Sequence, residues 1–476
     1  MKKIIAAALS AALLFTALTA RAGDEIVKTG YNIGPLPAIA YDADKGFQYG
    51  AILQLFNYGD GHNYPNYDSK LFLEASFFTK GSNLFTLSYD NKELIPGVRW
   101  SSAITSSIDK AMDFYGFNGY RSSYDWSKVA AGKAGEEYTQ PGYDWAPVGD
   151  ERYMTSLFNP FYRISRVQIL GKTDFIGKIG NGLYWEAGYH ASWIKIGSID
   201  RESVNKGKSD TQVWPEDQLT LYDWYRKWGL ISDDEAEGGF TSSIRLGLQY
   251  DTRDKEGAPS SGVWAEGHII AAPKWLGTKN EFYRYAFTWR HYLPVIDNNV
   301  LTFAYRLNYE GTIGDYAPFY VLPYITVMGE NCDKDGFGGY RTVRGIMRDR
   351  VMGLDTFTYT AELRWRFMNF RALNQNIALA LSAFSDGSMV TKERSMEFAG
   401  SRAAASPAME WHNYLKQGAE KDSMHVTFGA GFRFIMNENF IVAFEYGTPL
   451  SHWMKNSANY NQDGTGAFYV NIGYLF

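Results

Sequence analysis

The sequence predicts an all-β fold, a transmembrane antiparallel β-barrel of about 16 strands, and three observations carry that prediction. The first is alternation. In Phe357 to Phe367 (FTYTAELRWRF), Phe357, Tyr359, Ala361, Leu363, Trp365 and Phe367 share one face, and Thr358, Thr360, Glu362, Arg364 and Arg366 share the other. A barrel strand that meets lipid outside and a polar lumen inside needs that period of two over about ten positions. It recurs in Tyr283 to Trp289, Leu301 to Tyr309, Val426 to Phe434 and Phe468 to Phe476. The second observation is composition: 16% aromatic residues, with 34 tyrosines and 47 glycines, suit many short strands with aromatic girdles. The third is a mean hydropathy of −0.32 with no later apolar run long enough to cross a bilayer as a helix, which excludes a polytopic helical protein.

From the N-terminus, Lys2 and Lys3 precede the apolar run Ile4 to Leu18 and the small-residue pattern Ala20-Arg21-Ala22. This is the anatomy of a cleaved signal peptide over residues 1–22, and the run is shorter than the roughly 20 residues of an anchor. Removing Lys2, Lys3 and Arg21 leaves 44 basic against 52 acidic residues, a net charge of −8, which argues against nucleic acid as a partner. The one cysteine, Cys332, allows no intramolecular disulfide. Residues 23–35 read as a short periplasmic segment and 36–476 as the barrel.

Strands are expected near 36–42, 46–57, 67–79, 82–92, 97–108, 160–173, 182–197 and 241–252. The second half continues with 262–270, 281–292, 300–311, 357–369, 375–386, 424–436, 439–448 and 467–476. An even number returns both termini to the periplasmic side and puts the long connections, 109–159, 198–240, 312–356, 387–423 and 449–466, on the outer side. Closure satisfies the backbone groups that lipid cannot. The first strand, PAIAYDA, is short, which is compatible with a seam that opens. In the last, FYVNIGYLF, the residues Phe468, Val470, Ile472, Tyr474 and Phe476 share a face. With Phe468, Tyr474 and the terminal Phe476, the segment is similar to the C-terminal signal by which outer-membrane barrels are recognised for insertion.

Charge is concentrated in GGYRTVRGIMRDRVMG, Gly338 to Gly353, where Arg341, Arg344, Arg348 and Arg350 face a lone acid, Asp349. The segment Val343-Arg344-Gly345 resembles the VRG(F/Y) loop signature of the BamA/TamA superfamily. YDTRDKEGAPSSG, Tyr250 to Gly262, resembles the family's Tyr-Asp-Thr-Arg-Asp turn with its later Pro and Gly. FSDG, Phe384 to Gly387, resembles its Phe-x-Asp-x-Gly-like strand motif. The resemblance spans essentially the whole mature chain and implies that the loop folds back into the lumen. Strand parity points Glu362 and Asp386 inward, and a guanidinium bridges carboxylates with a bidentate geometry that lysine cannot reproduce. The resemblance therefore implies a clamp of Arg344 on Asp386, with Gly345 and Glu362 beside it; the alternative is that the arginines solvate a polar lumen. Asp251, Arg253 and Asp254, with Pro259 and Gly262, form either a structural network at a periplasmic turn or a plain charged turn with two breakers.

The family resemblance implies a role in the insertion, assembly or translocation of protein or lipoprotein substrates; a passive porin or ligand channel and a surface adhesin are the competing readings. The POTRA modules that precede the barrel in BamA and TamA do not fit in the dozen or so residues after Gly23. That leaves room for a separate periplasmic partner acting through Asp24 to Leu36, alongside outer-membrane lipids and client proteins. No enzyme activity, cofactor or metal is expected. His62, His190, His268, His291, His412, His425 and His452 are scattered, without the spacing of a metal or catalytic motif. In LYDWYRKWGL, Leu221, Trp224 and Trp228 lie on one helical face suited to packing at a barrel rim. Asp315, Asp333 and Asp335 read as solvated loop acids.

Overall fold

In a computed structural model, the structure describes residues 26–42, 46–79, 81–124, 160–205, 207, 219–296, 299–322, 324–330, 333–339, 342–399, 411–412, 414–416 and 418–472. Residues 1–22, read from sequence as a leader, lie outside them, as do Cys332, Arg341, Tyr474 and Phe476. Alternation translates directly into the wall. The strands are β1 (Tyr31–Pro37), β2 (Ala40–Asp42), β3 (Gly46–Asn57), β4 (Ser69–Phe78), β5 (Asn83–Ile95), β6 (Val98–Asp113), β7 (Arg163–Gly180), β8 (Leu183–Ser198), β9 (Gly238–Asp251) and β10 (Gly262–Ala272). They continue as β11 (Phe282–Ile296), β12 (Leu301–Ile313), the two-residue pair β13 (Tyr324–Ile325) and β14 (Lys334–Asp335), β15 (Asp355–Ala372), β16 (Gln375–Lys392), β17 (His425–Met436), β18 (Phe440–Pro449) and β19 (Ala467–Ile472).

From β3 onward each wall strand is antiparallel to the next, and β19 lies against β2, so the sheet returns on itself. Both β1 and β2 pair with β3, making them two pieces of one wall strand; counted so, the wall has sixteen. On β11, Tyr283, Tyr285 and Phe287 face outward, while Arg284, Ala286 and Thr288 are buried. On β15, Thr358, Thr360, Glu362 and Arg364 point into the lumen. The outer face carries Leu246, Leu248 and Ile269, each more than half exposed, as lipid contact requires.

Several boundaries differ from expectation. The first wall strand begins at Tyr31 instead of 36, so residues 31–35 belong to the barrel. Pro35 and Pro37 hid it, because proline is a poor strand signal, yet neither is obstructed at a wall edge where no donor is needed. Strands β5, β6 and β7 run to Ile95, Asp113 and Gly180, past the apolar band; beyond it a strand has no lipid to face and its alternation fades. The described residues before β1, 26–30, are tied to the short turns: Ile26 exchanges hydrogen bonds with Asn376, and Lys28 Nζ donates to the Asn374 carbonyl at 2.6 Å.

Short turns gather at one end with the chain's described N-terminus, and the long connections at the other. Among the described residues, three short helices, α1 (Arg201–Asn205), α2 (Leu221–Lys227) and α3 (Asp233–Ala236), lie in the connection after β8, and α4 (Leu450–Trp453) follows β18. Helix α2 starts at a capping box, with Thr220 and Asp223 satisfying each other's backbone N–H groups. Leu221, Trp224 and Trp228 are buried in a core built from several long connections, together with Phe114, Tyr225, Phe319, Trp411 and Tyr414. Trp228 sits 5.2 Å from both the Trp411 and Tyr414 rings, and Phe114 meets Tyr225 edge-on at 5.4 Å. The long-loop end is thus capped by a dry aromatic core of the kind found inside soluble domains.

Candidate functional site: the luminal loop

The connection 314–354 enters the lumen and is fastened at three heights. Near the cap, Arg350 is fully buried and donates to the carbonyls of Gly119 (2.7 Å), Ser122 (3.0 Å) and Gln462 (2.8 Å), which belong to two other long connections. Arg348 donates to Asp109 on β6 at 3.2 Å. Arg350 thus ties the loop to neighbouring connections and Arg348 ties it to the wall.

The middle fastening is Arg344. Its Nε and Nη2 donate to the two Asp386 oxygens at 2.8 and 2.9 Å, and its backbone N–H donates to the same carboxylate at 3.0 Å. Nη1 donates to Glu362 and Glu445, both at 2.8 Å, and the guanidinium lies 3.5 Å from the centre of the Phe384 ring. Arg433 bridges Glu362 and Glu445 from β17, and Arg364 Nε donates to Glu362 at 2.7 Å. Three guanidiniums thus balance three carboxylates in a site that excludes water; these side chains are all under 8% exposed. Burial alone would lower the pKa of Arg344, but Asp386, then Glu445 and Glu362 outweigh it and raise it, so the charge is permanent.

Gly345 explains how the backbone gets so close. Its φ is +101°, and a Cβ there would stand 2.6 Å from Gly447 C and Thr448 N on β18. Gly447 returns the favour, since its own Cβ would meet the Arg344 carbonyl at 2.8 Å. The Gly345 N–H donates to Tyr469 Oη on β19 at 3.1 Å. Sequence reasoning named Arg344, Gly345, Glu362 and Asp386; it missed Glu445, Arg433 and Tyr469, although each sits on an alternating strand.

The lowest fastening is at the tip of the β13–β14 hairpin. Thr326 donates twice to Glu310 (2.8 and 2.9 Å), Arg245 forms a bidentate pair with Asp333 (2.7 and 2.6 Å), and Gly329 N–H donates to Asp174 at 3.1 Å. Asp333, read from sequence as a solvated acid, is instead held by a wall arginine, while Asp315 stays on the surface beside Lys392. Glu330 reaches the short-turn end, accepting from Tyr67 Oη at 2.6 Å and pairing with Lys70 and, at 3.5 Å, Arg99. Burial opposes its ionisation, but Lys70 and then Arg99 prevail and hold the carboxyl down to about 2.

The turn between β9 and β10 forms a separate network. Arg253 chelates Asp251 through Nε (3.0 Å) and Nη2 (2.6 Å), and its guanidinium stacks 3.9 Å from the Trp264 ring. Asp254 accepts from the Ser260 and Ser261 N–H groups, Pro259 is buried, and Gly262 has φ +100° with Thr252 O 2.2 Å from where a Cβ would be. Of the terminal-strand residues, Phe468 faces outward, 47% exposed.

Comparison with curated proteins returns no match. Among solved structures, the chain is similar to BamA from Haemophilus ducreyi lacking POTRA domains 1–3, at 14% identity and TM-score 0.49, over 94% of this chain and 70% of that one. It is similar to CdiB from Escherichia coli at 11% identity and TM-score 0.50, over 95% of this chain and 63% of that one. At such identity the second likeness speaks for the fold alone. The Omp85 superfamily domain matches residues 157–476, more than half of the chain and all of the luminal loop with its wall partners Glu362, Asp386 and Glu445, and the protein belongs to the Omp85 superfamily of bacterial outer-membrane β-barrels.

Proposed function

We propose that this barrel assists the insertion, assembly or translocation of protein or lipoprotein substrates at the outer membrane, without enzymatic chemistry, and that Arg344 clamps the loop 314–354 as an internal lid. The observation that supports this reading is the loop's path, pinned at the cap by Arg350, on the wall by Arg344 and at the short-turn end by Glu330. A lumen filled in this way passes a polypeptide only if the loop moves or the wall opens. Among the described residues, β2 offers three residues to β19, of which six are described, whereas β15 and β16 run beside each other with 18 residues each. We place the opening at this seam, since strands joined by fewer backbone hydrogen bonds part more easily. Lipids meet the outward rows. A periplasmic partner would meet the short-turn face, where Ile26 and Lys28 are already tied to Asn376 and Asn374.

Depletion in the native organism, followed by quantitative outer-membrane proteomics with transcript controls, tests the proposal. A selective fall in other barrels or surface lipoproteins at unchanged transcript supports it; an unchanged outer-membrane proteome sinks it. A solute channel is the second reading, favoured by a luminal cavity of about 570 Å³ whose mixed lining includes the charged Lys70, Arg99, Arg245 and Glu256. A large, stable conductance of the wild-type protein in planar bilayers would favour the channel. A closed pore that Arg344→Ala opens would favour the lid.

A further inference from the structure

The wall holds a second cluster, away from the luminal loop, that neither the lid nor the seam uses. Glu266 and His268 are two apart on β10 and so share its luminal face. Glu186 reaches them from β8, across the intervening strand β9. The residue between is Gly247, which pairs with Glu186 on one side and His268 on the other. A Cβ at 247 would stand 2.6 Å from His268 Cδ2 and 3.1 Å from Glu186 Oε2. The missing side chain is the opening through which the two residues meet, with His268 Nε2 at 2.5 Å from Glu186 Oε2.

We propose that Glu186, Glu266 and His268 form a binding site for a divalent transition-metal ion of the zinc class. One ligand atom from each lies within 4.8 Å of the others, and all three residues are buried. Glu266 supplies the independent sign of a ligand. Its Oε1 accepts from Arg290 Nη1 at 2.6 Å, but Oε2, in a residue 2% exposed, has no hydrogen-bond partner and lies 3.8 Å from His268 Nε2. A buried carboxylate oxygen left bare is costly unless something cationic occupies the space before it. An imidazole with two carboxylates is a borderline donor set that suits zinc better than calcium, which takes oxygen ligands only. A bound ion takes the place of the proton between His268 and Glu186, and their short contact widens to admit it. The supporting shell is in place: Arg290 orients Glu266, and Gln249, with its amide turned to satisfy both neighbours, donates to Glu186 Oε1 at 2.9 Å and accepts from Trp264 Nε1 at 3.3 Å. Trp264 is held between the guanidiniums of Arg253 and Arg290, at 3.9 and 3.8 Å, which joins this cluster to the β9–β10 turn.

The test uses the full-length barrel in detergent, stripped with EDTA, titrated with zinc chloride and desalted, with bound metal counted by mass spectrometry. Glu266→Gln and His268→Gln are measured beside it, and their folding is checked by heat-modifiable gel migration. The wild type is expected to retain about one tightly held ion, and each variant to bind at least about tenfold more weakly. X-ray absorption at the zinc edge should show a nitrogen and oxygen shell that loses its imidazole signature in His268→Gln. Equal zinc content in the wild type and the folded variants, or none in the wild type, overturns the proposal and leaves the cluster a histidine–carboxylate ion pair. Exposed histidines such as His62 are common to all three proteins and cancel. If both variants fail to fold, the wild-type count and its absorption spectrum decide alone.

Discussion

The luminal loop is held by an arginine at mid-height and by a glutamate at its tip, and the two fastenings differ in kind. Arg344 sits among Asp386, Glu362 and Glu445 in a neutral, dry cluster completed by Arg364 and Arg433. Glu330 sits between Lys70 and Arg99 with 24% of its side chain exposed, and Arg99 is shared with Asp90 and Glu256. Inside the dry cluster no water replaces a lost partner, so its geometry is all or nothing. At the tip, water and salt compete for every charge. The difference teaches which part of the lid is a permanent fixture and which part yields to conditions.

The largest effect that could break this comparison is Arg344→Ala, which leaves three buried carboxylates facing two guanidiniums. It should cost the docked loop about 3–5 kcal/mol, read as loss of hydrogen-exchange protection over residues 342–354 in detergent. Arg344→Lys should rescue little, because one ammonium cannot chelate Asp386 and still reach Glu362 and Glu445. Retained protection in both variants would mean that Arg350 and the glycine contacts hold the loop by themselves. Gly345→Ala comes next. Its φ of +101° and the 2.6 Å approach to the β18 backbone should cost about 1–3 kcal/mol, and the same exchange experiment reads it. Smaller again is Glu330→Gln, worth about 1 kcal/mol or less at a partly exposed site. In the wild type, raising salt should weaken protection at residues 326–330 while leaving 342–346 unchanged; equal salt sensitivity at both would erase the distinction.

How far the sequence foretells these sites follows from what alternation can and cannot encode. The pleat decides which side of a strand faces inward, so Glu362 and Asp386 were legible as luminal acids before any coordinates. Register and curvature are not encoded locally. They bring Glu445, two strands beyond Asp386, onto Arg344, and Arg433, on the strand between, onto Glu362 and Glu445. Asp333 looked like an ordinary loop acid and Glu330 drew no notice, because their partners, Arg245 and Lys70, lie 88 and 260 residues away in the chain. The helical face of Leu221, Trp224 and Trp228 was visible, but its partners Trp411 and Phe114 belong to connections with no periodic signal. The Glu186 cluster was hidden for the same reason as Glu445: a glycine on a third strand makes the contact, and spacing along one strand shows only Glu266 and His268.

The smallest effect is also the most specific, because pH separates the two fastenings by sign. The Glu330 carboxyl is held down to about 2 in the folded protein, against about 4.3 for an unperturbed glutamate. A depressed pKa contributes stability that is fully present above the unfolded value and is lost as pH falls through the folded one. Arg344, with its pKa raised, keeps its charge throughout. Exchange protection at residues 326–330 in the wild type should therefore exceed that in Glu330→Gln by a constant margin down to about pH 5. The margin should shrink below that and vanish near pH 2. Taking the difference between the two proteins removes every other group that titrates in the same range. A margin that collapses already at pH 5 would mean that Lys70 and Arg99 do not hold the carboxylate, and one that survives at pH 2 would mean that Glu330 fastens the tip through its hydrogen bond with Tyr67 and not through its charge.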